Sequence, residues 1–316
     1  MRILITGGAG CLGSNLIEHW LPADHSIMVI DNFSTGKREV VPPVPRLDVV
    51  EGTVADQTLV ANCFERFKPE VVVHAAASYK DPADWHEDAQ TNVVGSIHVA
   101  KTAAKYAVGR LINLQTALCY GRPVELPIPI THPTAPFTSY GITKTAGEQF
   151  MLMSGVPTVS LRLANITGPR LAIGPIPTFY KRLKAGQKCF CSDTRRDFLD
   201  MSDFFTLMDL AIRTDAPTGV FNVSTGVGHT IKEIFDLVAA HLEFTGLDVP
   251  VVPPGDDDVP VVVLDPSETE RTFNWNAKVP FDQAIARQLT WYDSFGVSDV
   301  HSHLAAPAVS KQAIHE

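Results

Sequence analysis

Short, unbroken apolar runs alternate with longer amphipathic stretches through the first half of the chain. The runs at 3–6, 27–31, 48–51, 71–74, 111–114 and 159–163 are rich in Val, Ile and Leu, as strands covered on both faces are. Helical spacing of apolar positions predicts helices over 10–20, 58–67, 83–106 and 138–154. Repeated βαβ units wind a sheet with helices on both faces, so the expected fold class is α/β, a doubly wound parallel sheet.

The texture changes after Gly168, where Pro169, Pro175 and Pro177 interrupt the chain before a predicted helix at 178–185. A strand at 220–223, an amphipathic helix at 231–242 and a loop at 252–260 carrying Asp256, Asp257 and Asp258 follow. The expected organisation is a first domain over 1–165 and a smaller α/β domain over 166–316, interleaved with the first and covering a ligand that lies on the sheet. The tail from about 300, with His301 and His303, is polar and rich in small residues, so little order is expected there.

Composition narrows the function classes. Lysine and arginine total 26 against 35 acids, a formal charge of −9, with no local basic patch to meet a nucleic-acid backbone. Five scattered cysteines make no disulfide framework. The first strand runs straight into a glycine turn without the layout of a signal peptide, and no later stretch offers about 18 continuous apolar residues. The expectation is a cytoplasmic protein with reduced thiols and no membrane segment.

The candidate chemistry begins at Gly7-Gly8-Ala9-Gly10-Cys11-Leu12-Gly13, between a predicted strand and a predicted helix. Glycines there permit a tight turn and close backbone approach, and the helix amino terminus presents free N–H groups to a pyrophosphate. The following strand ends in Asp31, 18 residues past Gly13, where a carboxylate accepts hydrogen bonds from an adenosine ribose. That carboxylate repels a 2′-phosphate, so NAD is preferred to NADP, although Lys37 and Arg38 lie close by. Further on, Tyr140 and Lys144 stand four residues apart, one helical turn from each other. A tyrosine is a poor base at neutral pH, and Lys144 together with a cationic nicotinamide would stabilise its phenolate. Thr116, at the end of the fifth strand, is placed to hydrogen-bond a reacting hydroxyl and relay its proton.

With these residues the chain resembles the short-chain dehydrogenase/reductase superfamily, specifically its extended branch of NAD-dependent sugar-nucleotide epimerases and dehydratases. The segments Thr6–Gly10, Asp31-Asn32-Phe33-Ser34-Thr35-Gly36, His74-Ala75-Ala76-Ala77, Asn92-Val93-Val94-Gly95, Leu161–Arg170 and Arg196-Asp197-Phe198 carry the resemblance over about residues 1 to 295. Within the branch it is similar to a small group of epimerases of bacterial O-antigen pathways, through 79–82, 115–121 and 170–180. The resemblance implies a Rossmann fold. It places NAD against Gly7, Gly10, Cys11, Leu12, Gly13 and the Asp31, Asn32, Ser34, Thr35, Gly36 turn, with Thr53 and Val54 at the adenine. Ala75, Ala76, Ala77, Asn92, Leu114, Tyr140 and Lys144 complete that side. Thr116, Tyr140 and Lys144 are the implied catalytic set; Lys80, Thr116, Asn165, Pro177, Arg196 and Asp256 are the implied contacts to a nucleotide-diphosphate sugar. No metal is expected, and the implied assembly is a homodimer through the 83–106 and 138–154 helices.

Dehydratases of the branch carry Asp-Glu after the threonine, and the decarboxylases a glutamate at the second of those positions; here stand Ala117 and Leu118. Neither moves a proton, so the implied reaction is epimerisation of a UDP-sugar at C4, through a keto intermediate with reversible hydride transfer to NAD. A keto-sugar reductase is the alternative, ahead of a dehydratase, a decarboxylase or a non-catalytic dinucleotide-binding protein. The pattern departs from the family at 189–196, where relatives have Gly-Asp-Gly, and at Pro253-Pro254-Gly255-Asp256, where a second phosphate-binding arginine is usual. The phosphate clamp is thereby thinner, with Lys80, Arg170 and Arg195 as candidates to compensate. Cys189 and Cys191 lack a second pair at ligand spacing and read as packing, as do Cys11 and Cys119.

Overall fold

A computed structural model describes residues 1–256 and 258–300; Asp257, His301, His303 and the rest of the tail lie outside the described residues. The six apolar runs form strands β1 (Arg2–Thr6), β2 (Ser26–Asp31), β3 (Leu47–Glu51), β4 (Val71–His74), β5 (Arg110–Thr116) and β6 (Thr158–Leu163). With Gly219–Val223 they make a seven-stranded sheet in the order Gly219–Val223, β6, β5, β4, β1, β2, β3, every neighbouring pair parallel. β1 lies between β2 and β4, so the winding reverses there and a crevice opens at the carboxyl ends of those strands.

Both faces are covered, which is why the strands read as continuous apolar runs. Leu16, Trp20, Phe204, Leu207 and Met208 pack on Ile3, Ile5, Ile27 and Ile112, while Val60, Phe64, Val99 and Met151 pack on Leu4, Met28, Val72 and Leu111. The helix α1 (Cys11–Trp20) serves the first face. The helices α2 (Gln57–Phe67), Gly95–Lys105 and Ser139–Leu152 serve the second. A further cluster, with Phe179, Leu183, Phe235, Val238, Ile285 and Leu289, joins the Pro175–Lys184, Ile231–His241 and Phe281–Phe295 helices.

Four features differ from those the sequence predicts. The strand predicted at 220–223 within the second part returns to the main sheet and pairs with β6. The helix predicted over 83–106 is an α-turn, Trp85–Asp88, then a π-helical stretch, Ala89–Val94, then Gly95–Lys105; the wide turns carry the buried Asn92 to Ser78, whose backbone it holds by two hydrogen bonds. The helix predicted at 178–185 starts earlier, at Pro175, because the first-turn positions of Pro175 and Pro177 need no amide hydrogen. The Met201–Ala211, Ser267–Phe273 and Phe281–Phe295 helices were not predicted. No helix of the described residues is long and apolar enough to cross a membrane.

The opposite end of the sheet is held by a buried cation. Arg110, at the start of β5 and fully buried, donates to the carbonyls of Ala211, Ala216 and Pro217, where the Met201–Ala211 helix turns into the edge strand. Burial pushes its guanidinium down to about 10, against which Asp215 acts in the raising direction. Arg110→Met leaves three carbonyls without their donor and is expected to lower stability by about 3 kcal/mol while leaving dinucleotide affinity unchanged. Calorimetric melting beside a dinucleotide titration checks both halves.

Candidate functional site

The glycine turn, the 31–35 turn, the 52–54 and 75–79 segments and the ends of β5 and β6 surround one cleft of about 290 Å³ at the switch point. Gly7 sits at φ +69° with the backbone of Ala76 against it: a Cβ there would stand 2.6 Å from the Ala76 nitrogen. At Gly13 a Cβ would stand 2.4 Å from the Gly7 carbonyl oxygen. Only glycine lets α1 begin this close to β1 and β4, and its first turn then faces the cleft with amide hydrogens that have no partner within the helix.

Asp31 locks the turn. Its carboxylate accepts from the Ala9 and Phe33 backbone N–H groups, both at 2.8 Å, so the end of β2 and the glycine turn share one acceptor. Burial pushes this carboxyl upward, opposed by those two hydrogen bonds. Lys37 and Arg38, which the sequence set near Asp31, point elsewhere: Arg38 pairs with Glu51 over the Phe33 ring, and Lys37 reaches Ser298 and Asp299. Asp31 therefore faces the cleft with its charge uncompensated by either cation, and a 2′-phosphate is repelled there.

At the far end stand Thr116, Tyr140 and Lys144. Thr116 Oγ1 accepts from the Leu118 N–H at 3.2 Å, which leaves its proton to donate. Lys144 is buried and donates from Nζ to the Leu114 carbonyl at 2.7 Å. Burial pushes its ammonium down to about 8, opposed by Glu148 one turn on. Tyr140 meets Tyr79 edge to face, with ring centroids 6.2 Å apart. Burial pushes its phenol well above the usual range, helped by Tyr79 and Asp88. Burial is the dominant influence on this phenol; the phenolate stabilisation expected from Lys144 is paired with a bound nicotinamide. Behind them, burial and the Lys144 charge hold His74 down to about 3, neutral between Thr6 Oγ1 and Ser96 Oγ.

Of the remaining expected residues, Gly10, Cys11, Leu12, Asn32, Ser34, Thr35, Thr53, Val54, Ala75, Ala76, Ala77, Leu114 and Asn165 line the cleft. Gly36, Asn92, Lys80, Pro177, Arg196 and Asp256 do not. Gly36 packs on the Ala9 backbone, and Asn92 gives its amide to Ser78 and Thr143. Lys80 is exposed and Pro177 is buried in the first turn of its helix. Arg196 is engaged by Asp258, and the Asp256 carbonyl accepts from Arg122. Sequence reasoning missed Ser78, Tyr79, Glu87, Thr91, Gln115 and the 173–176 segment. Glu87 and Thr91 lie four apart and are bonded to each other, a spacing that would have revealed a shared helix face. Cys11 also differs from a reactive helix-terminal thiol: burial pushes it up to about 12, and Sγ donates to the Pro169 carbonyl. Cys119 is packed beside Tyr120 and Ile128. Among the described residues no three His, Cys, Asp or Glu side chains gather as a metal site.

Residues 3–224 match the model of the NAD dependent epimerase/dehydratase family. The crystal structure of Bordetella bronchiseptica WbmG in complex with NAD and UDP is similar at 69% identity and TM-score 0.91, over 96% of this chain and 97% of that one. WbmH of the same organism, solved with NAD+, is similar at 38% identity and TM-score 0.89, over 94% and 99%. A UDP-glucose 4-epimerase of Halalkalibacterium halodurans is 28% identical over 92% of this chain and 96% of its own.

Lys144 gives the site a signature in stability. Its ammonium is disfavoured in the fold but not in the unfolded chain, so below about pH 8 the fold carries the full cost, and stability rises as pH increases from about 8 toward the unfolded value near 10.4. Lys144→Met is therefore expected to raise the melting temperature of the ligand-free protein at pH 7, by an amount equivalent to about 1–2 kcal/mol after loss of the Leu114 hydrogen bond. The advantage vanishes toward pH 10, and melting curves across that range check it.

Proposed function

The chain belongs to the NAD dependent epimerase/dehydratase family, and from that premise we propose that it is an NAD-dependent isomerase that epimerises a UDP-linked sugar at C4 through a keto intermediate. One observation carries the reading: Thr116, Tyr140 and Lys144 meet in the cleft that also holds the glycine turn and Asp31. Neither Ala117 nor Leu118 contributes to its wall, so the positions after Thr116 supply no acid or base for elimination of water.

The residues fit NAD. The Gly7 cradle admits backbone but no side chain, α1 offers its amide hydrogens to a pyrophosphate, and Asp31 suits an unphosphorylated ribose. When bound, NAD accepts a hydride from the sugar carbon and returns it. Tyr140 Oη takes the proton of the reacting hydroxyl, and Thr116 Oγ1 orients that hydroxyl and relays the proton. Lys144, fixed through Leu114, supplies positive charge below the phenol. The keto sugar then presents its other face, and Tyr140 gives the proton back to the inverted alcohol. Asn165, on the cleft wall, and Arg196 are the contacts proposed for the nucleotide diphosphate.

We also propose a cytoplasmic homodimer serving surface-polysaccharide assembly. The five cysteines are all unpaired, as in a reducing compartment. Ile142, Phe150 and Met153 form an exposed apolar stripe on and just past the Ser139–Leu152 helix.

Incubation with NAD and separate UDP-sugars, followed by proton NMR, is expected to show one epimer pair interconverting without net NADH. Stoichiometric NADH consumption with a keto sugar would instead identify a reductase. Tyr140→Phe should lower kcat by about 10³-fold or more with NAD binding retained. For the assembly, Ile142→Asp with Met153→Asp should give a monomer by sedimentation velocity, and an unchanged dimer peak would move the interface elsewhere.

A further inference from the structure

Asp88 ends the Trp85–Asp88 turn, where the helix widens into its π stretch, and only 1% of it is exposed. Its Oδ2 accepts from Ser139 Oγ at 2.6 Å. Its Oδ1 is buried and has no hydrogen-bond partner among the described residues. A carboxylate kept in the interior on one hydroxyl is costly, and such a group calls for a reason. Its donor begins the helix whose next residue is Tyr140.

We propose that Asp88 is a positioning residue that acts through Tyr140: by way of Ser139 it anchors the first turn of the helix, and so fixes where the phenol stands and which charges it faces. The inference rests on Tyr140 being the proton acceptor of the proposed reaction. The groups around that phenol fit the assignment. On its own helix stands Lys144, bonded to the Leu114 carbonyl and balanced by Glu148. From the 75–79 segment comes Tyr79, edge to face. Glu87, beside Asp88, already accepts from Thr91 Oγ1, and His74 beneath is neutral. Asp88 and Tyr79 both push the phenol upward, secondary to burial.

The test is the ultraviolet tyrosinate titration of the NAD-loaded protein, with Tyr140→Phe subtracted to isolate one phenol. Asp88→Asn should move that titration, and the acid limb of the kcat profile, down by about one pH unit. Asp88→Ser removes the same charge and carries the test if the amide variant does not fold. Ser139→Ala keeps the charge and should lower kcat without moving the titration down. An unmoved titration in the Asp88 variants, or an equal shift in Ser139→Ala, overturns the proposal. The titration uses no sugar, so failure of the epimerase reading would leave this result standing.

Discussion

Between Gly7 and Ala76 two stretches of backbone pass closer than any side chain allows. That approach is the constraint behind the rest of the site. It brings the start of α1 over the carboxyl ends of β1 and β4, where the sheet order reverses, and aims the helix dipole into the crevice. Asp31 then ties Ala9 to Phe33, so the turn and the second strand hold each other in register. A rigid polar cradle results from local bonds that survive without ligand.

The opposite wall is built on the reverse logic. Here ionisable groups are drawn out of water and held away from their ordinary charge states: an ammonium pushed down, a phenol pushed up, a histidine kept neutral. Beneath them the buried Arg162–Glu148 pair, with Ser160 and Tyr120 bonded to it, fixes the helix that carries Lys144. Ionisable groups are thus held away from their ordinary charge states by the interior, at a cost in stability, above a fully hydrogen-bonded buried network.

Much of this was legible in the chain. Strands buried on both faces need uninterrupted Val, Ile and Leu, and the glycine turn and the Tyr140–Lys144 spacing are local geometry, so a linear reading finds them. Tertiary partnership was less visible. Gly219–Val223 looked like part of the second half because nothing in its five residues says which sheet edge it will join. Arg196 and Asp256 were implied as ligand contacts by the family resemblance, and nothing in the sequence shows the partners they meet here, Asp258 and Arg122, on distant loops. Asn92 was placed on the cofactor side by the same resemblance; the π turns that carry it to Ser78 leave no signature in the helical periodicity. The depth of burial that pushes the Tyr140 phenol upward is likewise a tertiary property, invisible in the Tyr140–Lys144 spacing.

The ion pair between Arg196 and Asp258 bears on recognition. Any anion that uses this guanidinium must first evict a carboxylate from the same chain, which is present at the high effective concentration of an intramolecular rival. Recognition there would be ion exchange rather than addition. A lone carboxylate or a single phosphate oxygen would gain little over the incumbent, while a doubly charged diphosphate with several acceptor oxygens would have the advantage, a discriminating threshold set before any sugar is read.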